Sequence, residues 1–567
     1  MKAYVDGGEG LLEAFRNLGV DYIFSSPGSE WAPVWEAVAR QRHENLPGPR
    51  YMDLWHETLA VGMATGYALM THRPQAVLLH AGGGLLQGTC AIQGAQLSGA
   101  PMVIFSSESN SYGERESVDP GSQWYRNLSI VGGVHGLVQP IVKWANQVPG
   151  IETMYEMVLR TGEMSMRAPT GPTYLGIPVE VLLEPWESPA HPRKVPAPAR
   201  KVSPPDELDA VARMLAEARQ PVVLTESAGR SPGGMEALVR LCEQLAIPVI
   251  EPQSAVCTNF PRSHELHLGG SADDFMGSAD LVLLVNCRAP WYPPSRKPTG
   301  ARTVVLDEVP QRPHIVYQVL HADVYLEGDV PATLDGLLAA VQRVGFDAAL
   351  VRERRARHHA THARQHDRAD QAERQALERS DAIDPVLVTR LLRETCAPET
   401  VFVDETITHS RLVQQHLRCD RPASYHYVQG GLGQGIAVAL GVKLAAGGRP
   451  VVLTVGDGSF LYNPIVQSLG ASRDQNLPLL IVIYNNGKYL SMQYNHRRYY
   501  PDGVAAETGS GLGSDLSTQP DLASLAGPFG MHGETVRTPD RLPQALADAA
   551  AAVAAGRTAI LNVIVAK

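Results

Sequence analysis

The chain has 567 residues, a formal net charge of −10 and an apolar content of 44%. This length exceeds what one hydrophobic core supports, so three or four domains of ordinary size are expected. The acidic balance argues against a nucleic-acid partner, because such a partner is bound by a basic face.

The sequence shows no sign of membrane insertion, export or disulfide pairing. The sequence contains no run of about 18 apolar residues, the length that a membrane span requires. Its N-terminal segment, MKAYVDGGEGLLEAF, lacks the apolar region of a secretory signal. The six cysteines lie far apart without a C-x-x-C pair. They predict reduced, buried thiols in a cytoplasmic protein rather than a disulfide framework or a zinc site.

Short apolar strands alternate with helical patterns over residues 1–183. The predicted strands are VDYIF, AVLLHA, PMVIFSS and PTYLGIPV, and the predicted helices include GLLEAFRNLG and HETLAVGMATGYALMTH. Such alternation predicts a parallel sheet covered on both faces. Residues 184–203 are rich in proline and predict an extended, semi-rigid linker.

The same alternation returns in two further blocks. Residues 204–342 contain the predicted strands PVVLTE, IPVIEP, ADLVLLVNC and RTVVLDE, and residues 383–567 contain TVFVDE, PVVLTVGD, PLLIVIYNN and TAILNVIVA. Between them, residues 343–382 predict a solvated connecting helix, and their His and Arg density leaves metal or phosphate binding open as an alternative. The predicted fold class is α/β, with three doubly wound, mostly parallel-sheet domains.

Polar residues end two successive strands of the third block. The stretch VVLTVGDGSFLYN ends a buried strand in Gly456–Ser459, and the next strand ends in Asn485–Gly487. Because ligands bind at the carboxyl ends of parallel strands, we expect Asp457 and Asn486 to lie side by side. Carboxylate, amide and carbonyl oxygens suit Mg²⁺ or Ca²⁺, and the glycines allow backbone N–H groups to approach a phosphate. Each motif alone would be an ordinary turn.

This GDG, followed one strand-helix-strand unit later by NN, resembles the thiamine diphosphate fingerprint. Nearly the whole chain resembles the thiamine diphosphate-dependent decarboxylase and carboligase family. The resemblance implies an N-terminal pyrimidine-binding domain over 1–183, a middle domain over 204–342 and a C-terminal domain over 383–567 that binds the diphosphate and Mg²⁺. The residues it assigns to the metal are Asp457, Asn486 and the carbonyl of Lys488, and those it assigns to the diphosphate are Gly456, Gly458, Ser459 and Tyr489, with Thr408 and His409 of DETITHS as further candidates.

The segment YVQGGLGQGIAVALG resembles the part of the family that wedges under the cofactor. The resemblance implies that Leu432 holds the cofactor bent and that the Gly430 carbonyl accepts a hydrogen bond from its 4′-amino group. A dinucleotide-binding loop is the rival interpretation. We rank it lower, because the segment lacks the G-x-G-x-x-G spacing and a predicted preceding strand.

The segment LWHETLAVGMATGYAL resembles the one that carries the family's essential glutamate. It implies that Glu57 hydrogen-bonds the pyrimidine N1′ and favours the tautomer that activates the cofactor. The alternative is a first-turn glutamate favoured by the helix dipole. In the family this glutamate reaches the cofactor of another subunit, which implies a homodimer or homotetramer with sites between subunits. Gly62 and Gly66 would permit close helix packing, either between subunits or within the chain.

Three further segments resemble benzoylformate decarboxylase. LLHAGGG places His80 after a strand, SSPGSEW places Ser29 in a loop, and NFPRSHELHLGG offers His264 as a second histidine. Imidazole is suited to proton transfer at neutral pH. The ordinary alternatives are a strand-end histidine, a loop serine and a surface histidine.

The resulting prediction is a Mg²⁺- and thiamine diphosphate-dependent lyase that decarboxylates a 2-oxo acid non-oxidatively and has carboligase potential, with an aldehyde as a candidate acceptor. Acetolactate synthase-like carboligation of two 2-oxo acids is the alternative. A nicotinamide or flavin oxidoreductase and a non-catalytic cofactor-binding descendant are alternatives from other classes. The middle domain carries no sharp FAD or ADP signature.

Overall fold

The computed structural model describes residues 5–116, 118–316, 318 and 322–566. Its strands form three sheets of six, five and six strands. Within the described residues, every strand pairing in these sheets is parallel. One sheet lies in each block, which confirms the predicted fold class. None of the helices among these residues has the length and apolar character that a membrane span requires.

The first sheet has the order β2-β1-β3-β4-β6-β5. Its strands are β1 (Tyr22–Ser25), β2 (Arg50–Asp53), β3 (Gln75–Leu78), β4 (Met102–Glu108), β5 (Ala145–Gln147) and β6 (Pro172–Pro178). The helices of this block are α1 (Gly7–Leu18), α2 (Ala32–His43), α3 (Glu57–Thr71), α4 (Ala81–Ser98), α5 (Val134–Val138), α6 (Ile151–Met166) and α7 (Val179–Leu183). Residues 186–204, which include most of the predicted linker, form no helix or strand.

The second sheet has the order β11-β10-β9-β7-β8. Its strands are β7 (Pro221–Thr225), β8 (Val249–Ile250), β9 (Leu281–Val285), β10 (Arg302–Asp307) and β11 (Val324–Glu327). The accompanying helices are α8 (Pro205–Glu217), α9 (Gly234–Leu245), α10 (Asp273–Met276), α11 (Val330–Val344) and the long α12 (Ala348–Glu378).

The third sheet has the order β13-β12-β14-β15-β17-β16. Its strands are β12 (Val401–Glu405), β13 (Tyr425–Tyr427), β14 (Val451–Gly456), β15 (Leu480–Asn485), β16 (His532–Val536) and β17 (Ala559–Ile564). The helices are α13 (Pro385–Thr395), α14 (Ser410–Leu417), α15 (Gly435–Ala445), α16 (Asp457–Tyr462), α17 (Ile465–Asp474), α18 (Leu490–Tyr499), α19 (Val504–Thr508) and α20 (Leu542–Ala554).

The chain forms two compact units that do not follow the three blocks. The first unit joins the residues up to Pro198 with Val428–Gly447 and Leu461–Leu477. The second unit holds Ala199–Tyr427, Gly448–Phe460 and the residues from Pro478 onwards. Part of the third block, including α15, is therefore built into the same unit as the first sheet.

Glycines allow α3 and α15 to approach closely within the first unit. A Cβ on Gly62 would collide with Ala437, and a Cβ on Gly66 would collide with the backbone of α15 at Val438. On the α15 side, a Cβ on Gly441 would meet the backbone of α3. The predicted close helix packing is confirmed, and the contact that explains it in this structure lies within the chain.

The connecting helix is confirmed, but it is not solvated all round. It begins after Asp347, whose side chain accepts from Ala349 N–H, and one face carries the buried residues Arg354, His358 and Glu373. Glu373 is 4% exposed. Its carboxylate is paired with Arg393 of α13, His416 of α14 and Arg418, the residue that follows α14. Polar composition misled the sequence interpretation, because buried charges that are paired look like surface charges in sequence.

The cysteines are free, as predicted, but not all of them are buried. Cys242, Cys257, Cys287 and Cys419 are buried, whereas Cys90 on α4 is exposed. A Cβ on Gly431 would collide with the Cys90 sulfur, so this thiol lies against that glycine. The expectation of buried thiols was therefore wrong for Cys90.

The close contact of α3 with α15 predicts a stability difference between two glycine substitutions. Gly66→Ala should lower the thermal denaturation midpoint, because a methyl group would meet backbone that cannot move away, a misfit that typically costs about 1–3 kcal/mol. Gly83→Ala is the matched control, since Gly83 has open space around its Cβ position in α4. Its midpoint should equal or exceed that of the unsubstituted protein. Equal midpoints for the two variants would contradict this packing.

Candidate active site

Asp457 and the Asn485–Gly487 turn come together at the ends of β14 and β15, as the sequence predicted. The two strands are paired in parallel up to this point, and Asp457 Oδ2 accepts a hydrogen bond of 3.0 Å from Gly487 N–H. Asp457 is 2% exposed. Burial raises the pKa of its carboxyl group, although hydrogen bonds from Gln519 and from backbone N–H groups oppose the rise. The carboxylate would therefore gain from a nearby cation.

Gln519 is a partner of this turn that the sequence did not indicate. Its Nε2 donates to Asp457 Oδ2 at 3.1 Å and to Asn485 Oδ1 at 2.8 Å. The contact fixes the orientation of the carboxylate. No pattern links a glutamine to an aspartate 62 residues away in sequence, so only the fold reveals it.

The oxygens at the turn fit a hard divalent cation. Asp457 supplies a carboxylate, and Asn486 supplies an amide oxygen that is held by Lys488 N–H at 3.0 Å. The Lys488 carbonyl is the third predicted ligand. Carboxylate and neutral oxygens together are the donors that Mg²⁺ prefers.

The GDGS turn is shaped by its neighbours. A Cβ on Gly458 would collide with the Tyr489 ring, whereas one on Gly456 would meet atoms only at ordinary contact distance. Tyr489 N–H donates to Ser514 O at 2.8 Å, and Ser459 is 4% exposed. Gly458 is therefore required by the position of Tyr489, whose ring lies against the GDGS turn that carries Ser459.

Thr408 and His409 lie in the 3-10 turn Ile407–His409, which follows β12, the neighbour of β14. His409 Nε2 is buried and has no hydrogen-bond partner within the part of the chain that is described. Burial lowers the pKa of this imidazole. An unpartnered buried ring nitrogen fits a site that a bound group completes.

The Gly430–Gln434 turn belongs to the first unit and contacts α4. Gly430 has a φ of 95°, a conformation that favours glycine, and a Cβ there would lie against Gly94. Gln434 Nε2 donates to Gly431 O at 2.9 Å. These contacts hold the Gly430 backbone in one conformation.

The structure corrects one argument against the dinucleotide interpretation. The strand β13 does precede this turn, and α15 begins directly after it at Gly435. The strand β13 is only three residues long, so its apolar signal is too short to recognise in sequence. The absence of the G-x-G-x-x-G spacing still argues against a dinucleotide-binding loop. Leu432, the residue predicted to hold the cofactor bent, is half-buried in the turn.

Glu57 is the first residue of α3, after the N-cap His56, whose Nδ1 accepts from Thr58 N–H at 3.1 Å. A Cβ on Gly84 would meet the Glu57 carboxylate, and one on Gly88 would lie in contact with the Glu57 Cβ. The glycines of α4 thus make room for the glutamate. These glycines form the first turns of a helix, where the sequence suggested only a glycine run.

His80 is bound to a buried carboxylate that the sequence analysis missed. Its Nδ1 lies 3.0 Å from both oxygens of Glu30, whose side chain is 0% exposed while that of His80 is 29% exposed. Glu30 Oε1 also accepts from Ala81 N–H at 2.7 Å. Because a carboxylate only accepts hydrogen bonds, Nδ1 carries the hydrogen and Nε2 is the atom left for proton exchange.

The charges around His80 favour its protonated form. The hydrogen bond to Glu30 raises the pKa of His80 above its ordinary value, partial burial opposes the rise, and the negative charges of Glu30 and Glu57 add to it. A Cβ on Gly84 would touch both His80 and Glu57. His80 and Glu57, two of the three predicted catalytic residues of the first unit, are therefore neighbours.

Ser29 stands at the edge of this group. It is exposed, begins the 3-10 turn Ser29–Trp31, and its Oγ accepts from Gln123 Nε2 at 3.0 Å. The same turn carries Glu30, which places the serine one residue from the partner of His80. A role in binding the substrate carboxylate stays a prediction.

His264 lies in the second unit, and contacts within that unit engage both of its ring nitrogens. Nε2 lies 3.2 Å from Glu243 Oε1 on α9, and Nδ1 accepts from Leu266 N–H at 3.1 Å. The ring also packs edge-on against Phe260. These contacts give His264 a local structural role, and its catalytic role stays a prediction.

Three thiamine pyrophosphate enzyme profiles match the chain. The N-terminal TPP binding domain matches residues 5–128, the central domain residues 208–337, and the C-terminal TPP binding domain residues 406–563. The matched domains follow the order of the three predicted blocks.

Curated relatives and solved structures agree with these profiles. A probable 2-ketoarginine decarboxylase of Pseudomonas aeruginosa is 28% identical over 84% of this chain and 82% of its own length. A benzoylformate decarboxylase of the same organism is 26% identical over 95% and 96%, and an acetolactate synthase of Bacillus subtilis is 23% identical over 95% and 90%. The benzoylformate decarboxylase of Polynucleobacter necessarius shares the fold, with a TM-score of 0.78 over 99% of both chains at 20% identity.

The profiles assign thiamine diphosphate as the cofactor, and the relatives include both decarboxylases and synthases. The chain belongs to the thiamine pyrophosphate enzyme family of 2-oxo acid decarboxylases and synthases.

Proposed function

We propose that this protein decarboxylates a 2-oxo acid non-oxidatively, with thiamine diphosphate held through Mg²⁺ at Asp457, Asn486 and the Lys488 carbonyl. When bound, thiamine diphosphate supplies the carbon nucleophile for the 2-oxo acid and takes up the electrons released as CO₂ leaves. The observation that carries the proposal is the His80–Glu30 pair beside Glu57. Such a group handles protons, which decarboxylation to an aldehyde requires.

The His80–Glu30 pair has the features of an oriented general acid. Glu30 fixes the ring through Nδ1 and favours the protonated imidazole, which leaves Nε2 to deliver a proton after CO₂ has left. Glu30 itself is a positioning residue, because its side chain is fully buried. Ser29, on the same turn, is proposed to bind the substrate carboxylate.

Glu57 is proposed to act on the cofactor rather than on the substrate. Its position at the first turn of α3 leaves the carboxylate next to the glycine-lined start of α4. There the Glu57 carboxyl group would form a hydrogen bond with N1′ of the cofactor's pyrimidine ring. The Gly430 carbonyl and Leu432 are proposed to orient the pyrimidine ring of the cofactor bound by their own subunit, whereas Glu57 would act on the cofactor of another subunit.

The substrate is best identified with a panel of 2-oxo acids. Two relatives are named for decarboxylating 2-ketoarginine and benzoylformate, so both acids belong in the panel beside pyruvate and branched-chain acids. Purified protein with Mg²⁺ and thiamine diphosphate should release CO₂ and an aldehyde from at least one of them. Absence of both products from the whole panel would contradict the proposed function.

Carboligation is the second candidate function. Acetolactate synthases are among the relatives, at 22–25% identity. The same panel separates the two outcomes, because acetolactate from pyruvate without free acetaldehyde would favour the synthase. The presence of His80, a proton donor at the predicted substrate end of the site, favours aldehyde release.

We propose that the active protein is a homodimer or homotetramer. Glu57 and Asp457 belong to different compact units of the chain, and the family resemblance implies that such parts meet across subunits. Analytical ultracentrifugation of the enzyme with its cofactor should show no active monomer. Full specific activity at a concentration where only monomer sediments would contradict the proposal.

Removal of the charge at Asp457 should abolish Mg²⁺-dependent cofactor binding. Asp457→Asn keeps an oxygen that can accept from Gly487 N–H but loses the negative charge that a cation requires. Calorimetric titration of the variant with thiamine diphosphate in Mg²⁺ should show no binding. Asp502→Asn, at an exposed position, is the control and should bind normally; unchanged affinity of Asp457→Asn would rule out the metal assignment.

Loss of the imidazole should slow aldehyde release. His80→Ala is expected to keep its cofactor affinity and to lose ~10²–10⁴-fold in turnover, the usual effect of removing a general acid. Carboligation should suffer less than aldehyde release. Glu30→Gln should lower the pKa of His80, so the decline of kcat with rising pH should begin at a lower pH than in the unsubstituted enzyme.

The two His80 experiments share a control and a failure condition. His43→Ala alters an exposed histidine of α2 and should leave turnover unchanged. Wild-type turnover in His80→Ala, or an unshifted pH profile in Glu30→Gln, would remove the proton-transfer role and favour the synthase.

A further inference from the structure

Two adjoining cavities open along α12 within the second unit. The first, of about 350 Å³, lies between α12, α14 and the loop after β8. The second, of about 430 Å³, lies between α12 and the start of β7 and α10. They share Asp274, Gln365 and Arg368. We call the pair the α12 groove.

The α12 groove carries positive charge in an acidic protein. Two carboxylates, Glu251 and Asp274, stand among its lining residues. Against these, the groove is lined by six arginines, although the whole chain has a net charge of −10. One of them, Arg418, is paired with Asp370 and Glu373 outside the groove, so a surplus of three positive charges remains. The arginines are Arg262, Arg357, Arg364, Arg368, Arg411 and Arg418.

One of the two carboxylates is already neutralised. Glu251 lies 2.7 Å from Arg262 and 3.1 Å from His267. Burial opposes the ionisation of Glu251, but these two partners outweigh it and lower its pKa to about 2. Glu251 therefore does not compensate the other arginines of the groove.

Several of the remaining arginines donate to neutral oxygens rather than to carboxylates. Arg411 donates to Gly270 O at 3.0 Å, and Arg364 donates to the Thr361 hydroxyl at 3.0 Å. Arg357 donates to a backbone carbonyl at 3.4 Å. These contacts hold the guanidinium groups in place but leave their charge uncompensated.

A buried imidazole adds an independent sign of a ligand. His358 is 6% exposed and lines the second cavity. Its Nε2 has no hydrogen-bond partner within the described part of the chain. Burial lowers the pKa of His358 to about 4, so the ring is neutral and offers one N–H to an acceptor. A buried polar atom without a partner is uncommon unless a ligand or water completes it.

We propose that the α12 groove binds a small metabolite that carries two or more phosphate groups. Guanidinium groups match the geometry of phosphate oxygens and form paired hydrogen bonds with them. The volumes of the cavities suit a small molecule. The spacing of Arg357, Thr361, Arg364 and Arg368 places these side chains on one face of the helix. None of the residues assigned to thiamine diphosphate lines the groove.

The test uses the full-length enzyme saturated with thiamine diphosphate and excess Mg²⁺, so that its diphosphate site is filled. Fructose 1,6-bisphosphate is titrated into it by calorimetry, and tricarballylate serves as a carboxylate probe of similar charge. Saturable binding of the bisphosphate, weakened by added salt, is expected. Absence of saturable binding would overturn the proposal. Equal binding of tricarballylate would replace phosphate by carboxylate and overturn the ligand assignment.

Matched charge variants locate the binding site. Arg364→Gln combined with Arg368→Gln should weaken bisphosphate binding by about tenfold or more, the usual effect of losing charged hydrogen bonds. Arg352→Gln combined with Arg374→Gln removes the same charge from exposed positions of α12 outside the groove, and should leave affinity within about twofold. Equal weakening in both double variants would show a general charge effect and overturn the site.

Discussion

The buried carboxylate of Glu30 constrains the active-site end of the first unit. A carboxylate without solvent exposure is stable only where donors compensate its charge. Glu30 meets this requirement through His80 and the Ala81 N–H, and so ties the turn after β1 to the start of α4. A Cβ on Gly28 or Gly84 would collide with atoms of this pair, so glycine at these two positions is needed to accommodate the His80–Glu30 contact. The result is an imidazole of fixed orientation beside Glu57.

Close helix packing places the second part of the site. The Gly62, Gly66 and Gly441 positions bring α15 against α3, and the Gly430–Gln434 turn that precedes α15 thereby reaches α4. One compact unit thus holds Glu57 and the Gly430 carbonyl, the groups proposed to contact pyrimidine rings that in the proposed oligomer belong to the cofactors of different subunits. The metal turn is built separately in the second unit, where paired strand ends and Gln519 orient Asp457.

Burial on both faces explains which elements were predictable. The central strands are continuous apolar runs and were all recognised, whereas the five missed strands, β2, β5, β11, β13 and β16, all lie at sheet edges. Edge strands are short or polar and give a weak signal. In the site, Asp457 and Asn486 were predictable because both end recognisable strands. Glu30 and Gln519 were not, since their partners lie 50 and 62 residues away in sequence and no local pattern marks them.

The division of labour between the two glutamates is the central claim, with Glu57 acting on the cofactor and Glu30 on His80. Exchange of the cofactor's C2 hydrogen for deuterium, followed by NMR after rapid quenching of the enzyme-bound cofactor, measures the Glu57 function without substrate. The account predicts that Glu57→Gln slows this exchange severely while binding the cofactor, and that Glu30→Gln and His80→Ala exchange at the wild-type rate. Wild-type exchange in Glu57→Gln, or equal slowing in all three variants, would contradict it.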